Sequence, residues 1–338
     1  MKRKLALAAL LLLAVGIVPA RELSAAGSSL AERRFSFEYQ TTVTVPPGAG
    51  KVEIWLPYAE SDAYQEIVSA KVESTVPVEM TRDAKYGNSI VHLALDHPTT
   101  PEVAVTLRFE VLRRENVKKS FPAKRRAGLP AEVGRWLEPD RLVPLSERIK
   151  TLAAEVTQGK TDPLDQARAI YDYVVSTMKY DKSGSGWGNG DIYWACDAKR
   201  GNCTDFHALF IGLCRAVGIP AKFAIGFPLP TERGAGEIGG YHCWAEFYLA
   251  DYGWVPVDTS EAAKHPEKRE YFFGAHDENR VQFTIGRDLV LSPRQAGEPL
   301  NYFVYPYAEV DGKATTEVKR SFRFADAGAG SGSAPGGR

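Results

Sequence analysis

Alternating apolar and polar positions dominate the chain from about residue 34 to 115. "RFSFEYQTTVTV" repeats with a period of two and ends at the turn sequence "PPGAG". "KVEIWLP", "SIVHLAL" and "EVAVTLRFEVL" continue the pattern between Pro, Gly and Asn residues, with no helical period. These short strands predict an antiparallel β-sandwich over residues 33–116, which shows no cluster of catalytic residue types.

The period changes after Val143. Ser146 is a candidate cap for one amphipathic helix, and Asp162-Pro163 predicts the start of a second, because Pro is tolerated at the first helical position. The stretch "GNCTDFHALFIGLCRAVGIP" predicts a third helix with one core-facing stripe, which ends at Gly218. Residues 140–262 are therefore predicted to form an α+β core.

Strand patterns return after the third helix. "AKFAIGF", "YHCWAEFYL" and "GWVPVD" each read as a strand, and "PLPTERGAGEIGG" between the first two reads as a loop without a period. Residues 263–325 are predicted to be a strand-rich C-terminal extension, from "YFFG", "VQFTIG", "DLVLS", "NYFVYPYAEV" and "EVKRSFRF". The predicted fold class is thus α+β, with a β-sandwich, a helical and stranded core, and this extension.

The two ends of the chain differ in composition from the rest. Three basic residues precede an apolar run from Leu5 to Val18, and small residues follow, with candidate cleavage after Ala20 or Ala26. This pattern predicts a secretory signal peptide over residues 1–26 and a periplasmic or secreted protein; an uncleaved anchor is the alternative. Residues 326–338, "DAGAGSGSAPGGR", are predicted to be disordered because they cannot bury a core.

Charge argues against some partners. The formal charge of the 338 residues is zero, and loss of residues 1–26 would leave 38 basic and 41 acidic residues, a balance of −3. A nearly neutral protein offers no electrostatic argument for binding nucleic acid. No later segment is apolar enough to cross a membrane, so we expect no membrane association after signal cleavage; the oligomeric state stays open.

Cys203 lies at the predicted start of the third helix. A helix N-terminus presents unpaired N–H groups and partial positive charge, which stabilise a thiolate and also an oxyanion. In the strand that follows, His242 shares a face with Trp244. If "YHCWAEFYL" and "GWVPVD" form a hairpin, Asp258 lies opposite Trp244 and diagonal to His242, within side-chain reach. A thiol, an imidazole and an orienting carboxylate are the groups that nucleophilic catalysis requires.

Two other interpretations of Cys203 remain open at this point. Cys203 and His207 are spaced i, i+4 and could share a metal ion with His242 or Cys243, although no CxxC or HxxxH pair is present. Export favours disulfides, and four cysteines allow three complete pairings. If Cys203 stays free, the other three permit at most one bridge.

The ordered motifs in this region resemble those of the transglutaminase-like superfamily. They are a Gly-x-Cys-x-Asp helix start at Gly201, a Gly-Ile-Pro-Ala helix end at Gly218, a His-x-Trp strand at His242 and a Gly-Trp-x-x-x-Asp strand at Gly253. The resemblance covers about residues 145–260. It implies a papain-like fold with Cys203 as nucleophile, His242 as base and Asp258 as the residue that orients the base, and it marks Asp205 as a motif residue.

The sequence also departs from the family pattern. The residue after the motif histidine is usually small and is Cys243 here. The oxyanion-stabilising tryptophan of animal transglutaminases has no match at its usual distance before the cysteine. Trp187 and Trp194 are the nearby substitutes, and His207 is expected to shape the pocket.

The resemblance implies thiol-dependent acyl transfer from a peptide or side-chain amide through a thioester on Cys203. The acceptor is water or an amine, the expected partner is a protein or peptide substrate, and no cofactor is needed. A calcium loop of the EF-hand kind is absent from the sequence. The alternative is a catalytically silent binding or assembly module, but such loss usually removes one of the three residues, and all three are present.

Overall fold

The computed structural model describes residues 30–122 and 128–328, so the predicted signal peptide and most of the predicted tail lie outside the described residues. Within these ranges, none of the helices has both the length and the apolar character needed to cross a membrane. The strands, numbered in chain order, are β1 (Glu32–Thr44), β2 (Lys51–Pro57), β3 (Gln65–Ser74), β4 (Glu79–Arg82), β5 (Ser89–Asp96), β6 (Glu102–Arg114), β7 (Asn116–Val117), β8 (Lys179–Tyr180), β9 (Arg200–Gly201), β10 (Ala221–Pro228), β11 (Ala235–Glu237), β12 (His242–Leu249), β13 (Gly253–Val257), β14 (Ala275–His276), β15 (Arg280–Ile285), β16 (Tyr307–Val310), β17 (Lys313–Ala314) and β18 (Val318–Asp326).

The helices lie mostly between β7 and β14. They are α1 (Glu147–Val156), α2 (Pro163–Thr177), α3 (Ile192–Ala198), α4 (Cys203–Ala216), α5 (Thr259–Lys264) and α6 (Arg269–Phe272), with 3-10 helices at Ala131–Leu137 and Pro266–Lys268. Asp162 caps α2 as predicted, since its side chain accepts the backbone N–H groups of Leu164 and Asp165. Ser146 holds the capping position of α1, but its side chain makes no capping hydrogen bond.

The sandwich is built from both ends of the chain. One five-stranded sheet has the order β11-β18-β1-β6-β3, and the other has the order β17-β16-β2-β5-β4. Alternate residues of β1 are buried, as its period of two predicts. The local sequence pattern predicts the sandwich within residues 33–116 and a separate extension over residues 263–325. In the structure, the C-terminal strands β16 to β18 complete both sheets.

The core contains a four-stranded antiparallel sheet of order β13-β12-β10-β15. Helix α4 packs against β10 and β12, and α1, α2, α3 and α5 surround it. Every residue from Cys203 to Arg215 is therefore buried, whereas the sequence pattern predicted a single core-facing stripe. This central helix carries Cys203 at its first position.

Some predicted strands are irregular or helical segments. "YFFG" begins in the last turn of α6, and "DLVLS" forms only an isolated bridge, from Leu289 to Leu300. The segment between β15 and β16 buries three apolar residues against one sheet of the sandwich instead of joining a ladder; these are Leu289, Leu291 and Phe303, packed on Trp55 and Ile90. With sandwich, core and C-terminal strands all present, the predicted α+β fold class is confirmed.

Candidate active site

The start of α4 is closed by a reciprocal cap. The Asn202 side chain accepts the backbone N–H of Thr204 at 2.9 Å, and Asp205 Oδ2 accepts the backbone N–H of Asn202 at 3.0 Å. Cys203 follows directly, with 2% of its surface exposed. Its own N–H belongs to the first helical turn, where no intrahelical acceptor exists.

Asp205 also fixes the loop beside Cys203. Its carboxylate accepts the backbone N–H of Gly188 at 2.7 Å and that of Gly190 at 3.0 Å. Gly201 leaves room for this carboxylate: its φ is +152°, and a Cβ there would lie 2.2 Å from Asp205 Oδ2. Asp205 is therefore more than a favourable charge at a helix N-terminus, because it links the cap to the glycine-rich loop.

The hairpin of β12 and β13 has the register that the sequence predicted. Ala245 pairs with Val257, so the next position, Asp258, lies opposite Trp244 and diagonal to His242. His242 Nε2 and Asp258 Oδ2 are 2.8 Å apart. Asp258 is fully buried and also caps α5, since Oδ1 accepts the backbone N–H of Glu261 at 3.0 Å.

Asp258 is held as a carboxylate. Burial alone would raise its pKa, but the positive charge of His242, the hydrogen bond with His242 and the charge of Arg280 hold the pKa well below its usual range. Arg280 Nη1 donates to Oδ2 at 3.2 Å, and Ser260 Oγ donates to Oδ1 at 3.1 Å. A buried carboxylate with this many donors is strongly oriented.

Cys203 and His242 stabilise each other's charged forms. Burial raises the pKa of the Cys203 thiol, but hydrogen bonds from Cys243 and His242 and the charge of His242 outweigh it and hold the pKa well below its ordinary value. Burial lowers the pKa of His242, but Asp258 and the Cys203 hydrogen bond raise it to about 10. Because Nε2 faces Asp258, Nδ1 is the nitrogen left for Cys203. These opposite shifts favour a thiolate and an imidazolium at neutral pH.

His207 is a neutral scaffold residue. Its Nδ1 donates to the backbone carbonyl of Cys203 at 2.7 Å, and its Nε2 accepts the backbone N–H of Thr259 at 3.2 Å. Burial lowers its pKa, which agrees with this single neutral tautomer. Both ring nitrogens are thus engaged by backbone groups, and the ring's one basic lone pair already accepts the Thr259 N–H.

The two substitute tryptophans have other contacts. Trp187 Nε1 donates to the backbone carbonyl of Gly184 at 3.1 Å. The Trp194 indole packs on Gly186, where a Cβ would lie 2.3 Å from its Nε1. The Trp187 N–H is engaged by the glycine-rich loop and the Trp194 ring packs against that loop, and the assignment of either residue to an oxyanion site stays a prediction.

The cysteines and nearby acids bear on the alternatives for Cys203. Cys196, Cys203, Cys214 and Cys243 are all free thiols. Within the described ranges, one set of side chains, His242, Asp258 and Glu261, has potential ligand atoms within 4.8 Å of one another. Arg280 forms an ion pair with Asp258, and Lys264 forms one with Glu261. Cationic side chains of the protein therefore already balance the charge of both carboxylates.

The sequence patterns did not predict two residues of the site. Arg280 reaches Asp258 from β15, a strand that pairs with β10. The Tyr241 hydroxyl binds both neighbours of Cys203, at 2.9 Å from Asn202 Nδ2 and 2.8 Å from Thr204 Oγ1. Its position directly before His242 was the available hint, because it ties the strand of the imidazole to the helix of the thiol.

The sequence is similar to proteins of two bacteria. An uncharacterized protein of Haemophilus influenzae is 29% identical over an alignment of 317 positions, which covers 82% of this chain and 86% of that protein. Uncharacterized protein YebA of Bacillus subtilis is 27% identical over 136 residues, 36% of this chain and 18% of YebA.

The fold resembles a solved structure over most of its length. A candidate cysteine protease from Cytophaga hutchinsonii superposes with a TM-score of 0.59 at 16% identity, covering 88% of this chain and 91% of that one. At this identity the likeness concerns the fold alone. The family model of the transglutaminase-like superfamily matches residues 150–259, which include Cys203, His242 and Asp258. The chain therefore carries a domain of the transglutaminase-like superfamily.

Proposed function

We propose that this protein is a thiol-dependent acyl-transfer enzyme that acts on a peptide or side-chain amide of a protein or peptide substrate. The observation that carries the proposal is the burial of Cys203, His242 and Asp258 in one site, where Asp258 lies 2.8 Å from His242 and the charge of His242 lowers the pKa of Cys203. A nucleophile, a base and an orienting carboxylate in sequence are what acyl transfer through a covalent intermediate needs.

In the first half-reaction, the Cys203 thiolate attacks the carbonyl carbon of the amide and forms a C–S bond. The tetrahedral oxyanion lies at the N-terminus of α4, where the Cys203 backbone N–H and the helix dipole stabilise negative charge. The C–N bond then breaks, and the His242 imidazolium gives its proton to the departing amine. The product of this step is a thioester on Cys203 and a neutral His242.

In the second half-reaction, water or an amine attacks the thioester carbonyl. His242 takes the proton from the attacking group, the C–S bond breaks, and the thiolate and imidazolium are restored. Asp258 keeps its negative charge throughout and orients the ring. Water as acceptor makes the protein a peptidase or amidase, whereas an amine makes it a transglutaminase; exclusion of water from the cleft would favour the amine.

A catalytically silent binding or assembly module is the second candidate. The observation that favours it is burial, because Cys203 is 2% exposed and His242 is 6% exposed. An enzyme must open this site to its substrate, whereas a binding module need not. Access to Cys203 therefore separates the two candidates.

An activated ester tests the proposal without a known substrate. The parent protein mixed with p-nitrophenyl acetate should release one equivalent of p-nitrophenolate in a burst, because the thiolate becomes acetylated. Peptide mass spectrometry should find the acetyl group on Cys203. Cys203→Ser should lose the burst, and Cys214→Ser, on the same helix, should keep it. A folded parent without a burst would favour the silent module.

A periplasmic or secreted location is part of the proposal. It rests on the charged and apolar pattern of residues 1–26, with small residues at Ala20 and Ala26. N-terminal sequencing of exported protein should begin near Arg21 or Gly27. A mature chain that keeps Leu5–Val18 would contradict cleavage and favour an anchor.

A further inference from the structure

A second cation reaches the carboxylate that orients His242. Arg280 opens β15 and is 2% exposed. Its Nη1 lies 3.2 Å from Asp258 Oδ2, the oxygen that His242 Nε2 reaches at 2.8 Å. One carboxylate oxygen is thus shared between a guanidinium and an imidazolium.

We propose that Arg280 is a positioning residue of this site, which aims the Asp258 carboxylate at His242 and weakens its hold on the imidazolium proton. The inference rests on the proposed function of the Cys203–His242–Asp258 set. It extends that function, because neither the family motifs nor the matched region, residues 150–259, includes Arg280.

The contacts of Arg280 make it a rigid support. Its Nε and Nη2 both donate to Asp277 Oδ1 at 3.2 Å, and its guanidinium carbon lies 4.8 Å from the centre of the Trp244 ring. Asp258 Oδ1 is occupied by Ser260 Oγ and the Glu261 N–H. The carboxylate is therefore fixed on both oxygens, and Oδ2 can point at His242 in a single orientation.

The charge of Arg280 has a chemical consequence. A carboxylate alone beside an imidazolium stabilises it and makes it a weak acid. A second cation on the same oxygen offsets part of that stabilisation, so the imidazolium can release its proton to a departing amine more readily. Since the pKa of His242 is already raised to about 10, this offset favours turnover.

The other charged and titratable groups around His242 and Asp258 are expected to keep their charge while His242 titrates. The negative groups are the Cys203 thiolate, Asp258, Glu261 and Asp277. His207 and His276 are neutral, because burial lowers the pKa of each ring. Cys243 and Tyr180 keep their protons, because burial raises the pKa of each. Arg113, behind Arg280, lies 3.8 Å from Asp62.

Side-chain ¹⁵N NMR of the full chain in a Cys203→Ala background tests the proposal. Loss of the thiolate should bring the pKa of His242 down toward neutral pH, because Cys203 is one of the groups that raise it. Arg280→Gln should raise this pKa by about 1 unit, because a cation within a few ångströms is removed. Arg280→Lys, which keeps the charge, should leave it near the value of the background protein. His242→Gln identifies the resonance.

An unchanged or lower His242 pKa in Arg280→Gln would overturn the proposal and leave Arg280 as a packing residue. If Arg280→Gln does not fold, Asp277→Asn decides. Asp277 is partly exposed, and its loss leaves the Arg280 charge less compensated, so the pKa of His242 should fall. No shift in Asp277→Asn would also overturn the proposal. Because the titration needs no catalysis, it stays informative when the ester burst fails.

Discussion

The two ends of α4 hold the same residue type in opposite chemical states. Cys203 at the first position and Cys214 near the last are both buried. Burial raises the pKa of each thiol, and at Cys214 it prevails, so that the pKa lies well above its ordinary value. At Cys203 the hydrogen bonds from Cys243 and His242 and the His242 charge prevail, and the pKa is lowered.

Each end of α4 has a cation near its cysteine, but the two cations differ in their hydrogen-bond partners. Arg215 lies directly after Cys214, yet its guanidinium is bonded to Asp140 at 2.7 Å and to the carbonyls of Glu138 and Ala221. His242 instead has one nitrogen on Asp258, and its positive charge lowers the pKa of Cys203. A buried cation therefore activates a thiol only when part of its hydrogen-bonding capacity is left for that thiol.

The largest expected contrast is in alkylation of single cysteines. At pH 6, iodoacetamide should label Cys203 on the order of 100-fold faster than Cys196, since an ordinary thiol is almost fully protonated there. Cys196 is the matched control because it is more exposed than Cys203. Peptide mass spectrometry gives both rates in one sample. His242→Ala should slow labelling of Cys203 alone, and equal rates at the two cysteines would contradict an activated thiol.

At the Cys214 end of α4, we expect a substitution to change the free energy of unfolding. Asp140→Asn leaves the buried Arg215 without its carboxylate, so the free energy of unfolding should fall by about 3 kcal/mol. Urea unfolding measures this loss, and the labelling rate of Cys203 in the folded variant should stay at the parent value. Asp197→Asn, which breaks the exposed pair with Arg148, is the control and should cause no measurable loss. Equal losses of unfolding free energy in Asp140→Asn and Asp197→Asn would show that the buried pair stabilises the fold no more than the exposed pair.

The pH dependence of stability should separate the ion pair from an ordinary thiol. Unfolded Cys and His have pKa values of about 8.5 and about 6.5. Between these values folded and unfolded pairs bind one proton each, so the pair contributes no slope. Below about pH 6.5 the stability due to the lowered Cys203 pKa is lost as pH falls. Above about pH 8.5 the stability due to the raised His242 pKa is lost as pH rises toward about 10.

Urea unfolding across this range measures the effect. The parent should lose about 1.4 kcal/mol per pH unit above about pH 8.5. In Cys203→Ser, where the thiolate no longer offsets the imidazolium, the loss should begin near pH 6.5. If the free energy of unfolding depends on pH in the same way in the parent and in Cys203→Ser, Cys203 and His242 do not exchange a proton in the folded state.

The local part of this site was predictable from the sequence. The alternation along "YHCWAEFYL" and "GWVPVD" and the short turn between them fix the faces of His242 and Asp258, and the structure has that register. The cap and the glycine after α4 are also local signals. Arg280 was not predictable, because its contact with Asp258 depends on β15 pairing with β10. The pairing of Phe35 with Asp326 likewise joins distant segments for which no local period gives a partner.

The smallest expected effect concerns Cys243, the residue in which this chain departs from the usual family pattern. Its thiol keeps its proton, because burial and the hydrogen bond to Cys203 raise its pKa, and it donates to the Cys203 thiolate. Cys243→Ala removes one donor and should slow alkylation of Cys203 at pH 6 by about 3-fold, the weight of one ordinary hydrogen bond. Cys243→Ser keeps a donor and should react nearly as fast as the parent. If the alanine and serine variants react at the same rate, Cys243 only fills space, and His242 alone accounts for the difference between the two ends of α4.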